Sequence, residues 1–213
     1  AAEAHEYPIG FATLHIISDG SCKAGSAAAY IHQQFPFESG TWGPGADFSR
    51  VQINCRLYAA NVKLTDNKGN NGQVDGELLA LHTAVELRRQ IEDNVLIKFH
   101  AVRICSDSLT VMQCIRKTDS CYSIWAGKRI AHIQRSIDVD NIWHLPGKIT
   151  DACIDACTKY QTTPSSAMND QWFFGKGVLD KPLQTLPWTP REKYAFPKME
   201  DRPAQWLSTA AKT

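Results

Sequence analysis

The feature that most constrains the fold is the order of periodicities. Three strand-like stretches precede the first helical one, and helices alternate with strands thereafter. ATLHIISDGS leads β-branched residues into the Asp19-Gly20 turn. AAAYIHQQF follows after the short, Gly-containing link CKAGS, a spacing that indicates a hairpin. FESGTWGPGADFSR is rich in Gly and Pro and reads as a loop. Val51, Ile53, Cys55 and Leu57 then alternate with Gln52, Asn54, Arg56 and Tyr58, which is a period-two pattern. KLTDNKGNNGQVDG reads as a polar connection.

A helix pattern begins near Gly76, with Leu78, Leu81 and Val85 as its apolar stripe. AVRICSDS is the next strand, with Val102 and Ile104 on one face and Cys105 and Asp107 on the other. Ser108 suits the N-cap of LTVMQCIRK. IWAGKRIAHIQRSI is a further helix, NIWHLPG a short strand broken by Pro146, and TDACIDACTKY a last helix capped by Thr150 or Asp151. The order β-β-β-α-β-α-α-β-α over residues 10–160 predicts an α/β domain with a five-stranded mixed sheet flanked by helices. Pro and Trp accumulate beyond residue 160, so residues 161–213 read as a Pro/Trp-rich C-terminal extension.

Composition narrows the class. At 43% hydrophobic and 21% charged, the chain has the make-up of a soluble globular protein. No apolar run approaches the ~18 residues needed to cross a membrane. The opening AAEAHEYPIG has neither a basic start nor an apolar stretch, so no signal peptide is expected. Without an initiator Met, the chain reads as a fragment or a processed piece. The 7 cysteines form no Cys-x-x-Cys pair and read as buried free thiols in a reducing compartment. Cys153 and Cys157 lie one helical turn apart, but no matching ligand pair accompanies them. Net charge is +1, yet residues 116–135 hold Arg116, Lys117, Lys128, Arg129 and Arg135 against Asp119 alone. That local basic surface suits a polyanion.

Acids stand at the ends of these elements. Asp19 closes the first strand, Asp107 ends the fourth, Glu77 opens the first long helix, and Asp155 lies in the first turns of the last helix. Any one of them alone is ordinary turn or cap chemistry. Together, in this order of elements, they point to a metal site. Clustered carboxylates repel unless cations neutralise them, and hard oxygen ligands select Mg²⁺ or Mn²⁺ over zinc.

The strings HIISDGS, VDGELLALHTAVEL, VRICSDSLTVMQCI and NIWHLPGKITDACIDACTKY resemble the four acidic motifs of the ribonuclease H family, in order. Within it they are most similar to the ribonuclease H domains of BEL/Pao-type retrotransposon polyproteins. AGKRIAHIQRSI resembles the helix before that family's last strand, and QWFFGKGVLDKPLQTLPW the Trp-containing segment that follows the domain. The resemblance implies a ribonuclease H-like fold over 10–160 and a connection to a downstream region over 161–213. It implies Asp19, Glu77, Asp107 and Asp155 as catalytic metal ligands for two Mg²⁺ ions, with Asp151 as the alternative fourth ligand. It further implies endonucleolytic hydrolysis of the RNA strand of RNA–DNA hybrids, a reverse transcriptase domain upstream in the same polyprotein, and a cytoplasmic or virus-like-particle setting. Arg116, Lys117, Lys128, Arg129 and Arg135 would then grip the hybrid backbone. Lys148 stands near the place where many relatives carry a His, and His144 lies within the strand. Two other readings belong to different classes. One is an inactive scaffold or connection domain that keeps the fold. The other is an integrase-like strand transferase, which carries Glu where the last helix here has Asp.

Overall fold

The computed structural model describes residues 12–36, 51–65, 72–96, 99, 101–117, 122–147, 170–175 and 179. In chain order the elements are β1 (Ala12–Gly20), β2 (Ala24–Pro36), β3 (Val51–Leu64), α1 (Gln73–Asn94), β4 (Ala101–Ser106), α2 (Leu109–Cys114), α3 (Ile124–Ser136), a 3-10 turn (Val139–Asn141), β5 (Ile142–His144) and α4 (Asp170–Phe174). The strands form one sheet in the order β3-β2-β1-β4-β5. The first three are antiparallel neighbours, whereas β4 runs parallel to β1 and β5 parallel to β4. This is the five-stranded mixed sheet of the ribonuclease H-like fold.

The strand alternation supplies two apolar faces. Leu14, Ile16 and Ile104 meet Leu78, Leu81 and Val85 of α1 and Ile130 and Ile133 of α3. On the other face Ile17, Ala28, Tyr30, Cys55, Cys105 and Leu145 pack together with Leu179, and half-buried Trp172 lies against them. Residues from beyond position 160 therefore cover part of the sheet. Each fully buried aliphatic side chain contributes roughly 1.5–3 kcal/mol. Cys55, Cys105 and Cys114 are buried free thiols, and Cys22 is exposed. None of the described helices is long and apolar enough to cross a membrane.

Several boundaries differ from the sequence expectation, β2 for one beginning at Ala24 inside the presumed link. α1 starts at Gln73, so Glu77 lies in its second turn and Asp75 is the acid of the first. β3 continues to Leu64, taking in the start of the presumed connection. The reason is a bulge. Ala29 pairs with Ala59 but Tyr30 with Leu57, leaving Tyr58 as the extra residue. The bulge exchanges the faces of β3: Cys55 and Leu57 face the second core, whereas Ala59 packs on the α1 side. α2 ends at Cys114, short of the expected 117. The capping expectation holds, since Ser108 Oγ accepts from the Val111 N–H. Ser123 Oγ does the same for Ala126 at the start of α3. The expected last helix, with Cys153 and Cys157, lies outside the described residues.

Two glycines bring α1 against the end of β1. A Cβ on Gly76 would stand 1.8 Å from the Ser21 carbonyl oxygen, and one on Gly20 would stand 2.3 Å from the Glu77 nitrogen. Both obstacles are backbone, so neither can rotate away. Gly76→Ala is expected to cost about 2–3 kcal/mol through forced separation of strand and helix. Urea denaturation measures this, and a loss below about 0.5 kcal/mol would show that the contact is not tight.

Candidate active site

The parallel pairing of β1 and β4 sets Ser18 beside Ser106. Asp19 and Asp107 are the next residues along each strand, so they emerge side by side where the two strands end. The glycine contact carries the second turn of α1 to the same place, and Glu77 comes with it. One carboxylate oxygen from each of Asp19, Glu77 and Asp107 lies within 4.8 Å of the other two. Asp19 and Glu77 are buried, at 5% and 7% exposure, and Asp107 is half-buried.

Three acids this close, two of them buried, strain their own ionisation. Glu77 shows it most. Burial, then the neighbouring charge of Asp107, and to a lesser degree that of Asp19, push its carboxyl up to about 8 against hydrogen bonds from Gln73 and Gly20. Gln73 Nε2 donates both to Glu77 Oε1 at 2.8 Å and to the Gly20 carbonyl at 2.6 Å. One amide thus ties the helix, the strand end and the acid together. Glu77 Oε2 is buried with no hydrogen-bond partner among the described residues. A buried carboxylate oxygen without a donor is costly alone and well placed to meet a cation. The donor set is all oxygen, which fits Mg²⁺ or Mn²⁺.

Sequence reasoning missed three residues here. Gln73 fell in the presumed polar connection, although its i, i+4 spacing to Glu77 is a usable signal once the helix start is moved. His144 of β5 pairs with Ser106 in register and hydrogen-bonds the Asp107 backbone. Burial lowers the His144 pKa, against the pull of Asp107. Gly147 passes so close that a Cβ there would stand 3.2 Å from Asp107 Oδ2. Asp151, Asp155 and Lys148 lie outside the described residues.

The five basic residues separate into two groups. Arg116 donates to the carbonyls of Met112 and Val139 and pairs with Asp140 at 3.6 Å, bracing α2 against the 3-10 turn. Arg129 lies 3.8 Å from the Trp125 ring centroid and donates to the Trp125 carbonyl. Lys117, Lys128 and Arg135 are exposed.

No family model matches the chain, and no curated protein matches it in sequence. Among solved structures, RNase H1 from the halophilic archaeon Halobacterium salinarum NRC-1 is similar, with a TM-score of 0.41 at 12% identity, covering 68% of this chain and 93% of that one. Strand order and direction, rather than the closeness of that overlay, tie this chain to the ribonuclease H-like fold.

Proposed function

We propose that this chain is a ribonuclease H that hydrolyses the RNA strand of RNA–DNA hybrids with two divalent cations, Mg²⁺ or Mn²⁺. The observation that carries the reading is the convergence of Asp19, Glu77 and Asp107 at the edge where β1 and β4 end. Cations held there would neutralise the acids and act as Lewis acids toward a phosphodiester. The chain's own residues prepare the site. Gln73 fixes one oxygen of Glu77 and leaves the other for a ligand. His144 braces the backbone that presents Asp107. Asp155, or alternatively Asp151, supplies the fourth carboxylate. The motif strings support a retroelement origin of BEL/Pao type, with a reverse transcriptase domain upstream and a cytoplasmic or virus-like-particle setting. Residues 161–213 would then be the extension toward the downstream region.

The test is cleavage of an end-labelled hybrid with and without Mg²⁺. Mg²⁺-dependent scission confined to the RNA strand is expected. A folded protein that leaves the hybrid intact would turn the reading to a non-catalytic scaffold. The same assay locates the fourth ligand. Asp155→Asn is expected to lose most activity, because an amide cannot supply the charge. Asp151→Asn should remain nearly active, because Asn caps a helix as well as Asp does. The opposite pattern moves the ligand to Asp151.

Exposed Lys117, Lys128 and Arg135 are the residues to hold phosphates. Reversing all three to Glu should weaken hybrid binding alike for every sequence and flatten its salt dependence. An unchanged slope of log affinity against log salt would remove α3 and its approach from the binding surface.

A further inference from the structure

A second ligand cluster lies on the side of α1, away from the acidic edge. His82 and Glu86 stand one turn apart on α1, and His132 of α3 faces them. One donor atom from each lies within 4.8 Å of the other two. The His82 and His132 ring centroids are 4.8 Å apart, and His82 Nε2 is 3.7 Å from Glu86 Oε1. We propose that His82, Glu86 and His132 form a site for a zinc-class divalent cation that clips α1 to α3, separate from the carboxylate site where β1 and β4 end.

The geometry needs little adjustment. Three atoms within 4.8 Å of one another fit in a circle of radius about 2.8 Å, against ~2.0–2.2 Å for Zn–N and Zn–O bonds. Side-chain rotation covers that difference. Two imidazoles with one carboxylate suit zinc and its neighbours, whereas Mg²⁺ prefers all-oxygen surroundings. All three side chains are half-buried, so an ion has a path in. His82 Nδ1 is buried with no hydrogen-bond partner among the described residues.

The cluster has a built-in competitor. Lys63 of β3 forms an ion pair with Glu86 Oε2. The bulge at Tyr58 sets the face of β3 that reaches α1. An ion on Glu86 Oε1 would share the carboxylate with this ammonium and be repelled by it, and both side chains are about one-third exposed, which lets Lys63 swing into solvent. Glu86 thus serves two contacts, Lys63 of β3 through Oε2 and the imidazole pair through Oε1, and the ammonium charge weakens the hold on a cation.

The test is calorimetric titration of chelator-treated full chain with Zn²⁺ in excess Mg²⁺, which occupies the oxygen site. One equivalent is expected to bind and to raise the thermal midpoint. His132→Gln should weaken binding by about thirtyfold or more, since one of three protein ligands is lost. Lys63→Met should tighten it about threefold or more by removing the competing charge. Asp107→Asn should leave it unchanged. Circular dichroism checks that each variant is folded, and Glu86→Gln replaces His132→Gln if the latter is not. Failure of the wild type to bind Zn²⁺ up to about 100 µM, binding indifferent to both ligand variants, or binding lost in Asp107→Asn would each overturn the proposal. Because hybrid cleavage is not the readout, the outcome is independent of the nuclease reading.

Discussion

Asp107→Asn is expected to lower Mg²⁺-dependent hybrid cleavage by at least about a thousandfold, roughly 4 kcal/mol of transition-state stabilisation. The same change is expected to make the metal-free protein more stable. Both effects have one cause. The Asp107 charge is the largest electrostatic contribution holding the Glu77 carboxyl up, second only to burial. An amide of nearly equal size removes that repulsion and removes a hard anionic ligand with it. Opposite movement of activity and stability marks an acidic cluster kept for its chemistry. The check is a cleavage rate and a urea midpoint on the same preparation. Near-wild-type cleavage by a folded Asp107→Asn protein would sink the two-cation assignment.

Without metal, the protein should lose stability as the solution is made more alkaline across the neutral range. Glu77 carries the effect. Its carboxyl titrates near 8 in the folded chain against an ordinary value of 4.5. Between those values the native state holds a proton that the unfolded chain has released. Stability therefore falls as pH rises through this window and levels off above it. Each unit of displacement is worth about 1.4 kcal/mol, so the full penalty is on the order of 5 kcal/mol. Mg²⁺ favours the carboxylate, draws its pKa down and should flatten the slope. Urea denaturation in chelator at about pH 5 and about pH 8 reads the effect, with Glu77→Gln as the reference. Equal pH dependence in wild type and Glu77→Gln would remove Glu77 as its source.

The acidic edge was legible in the sequence because its parts are local. Asp19 ends a β-branched run, and Asp107 lies at the end of another just before the Ser108 cap. Such signals need no knowledge of what packs where. The second half of β3 was not legible, because the bulge at Tyr58 breaks the period-two pattern on which a strand is recognised. The start of α1 was obscured by Gly72, which supplies no side-chain cap. Charge counting placed Arg116 and Arg129 in the basic stretch but could not see the carbonyls to which they donate. The His82–Glu86–His132 cluster was invisible for a different reason: the i, i+4 pair is ordinary on a helix surface until α3 brings His132 to it.

All nine residues of β1 are buried, and the strand is hydrogen-bonded on both sides, to β2 and to β4. No smaller opening of the molecule frees it. Peeling β1 away means breaking the sheet into two pieces, so its amides exchange only through unfolding of the whole domain. Asp19, paired with Ser26 of β2, stands one residue past the part of β1 that is held from both sides. Asp107 stands one residue past its strand with His144 hydrogen-bonded to its backbone, and Glu77 lies one turn into a helix that Gly20, Gly76 and Gln73 hold against β1. The cluster is therefore fastened to the strand that opens last, and its geometry should persist for as long as the domain stays folded.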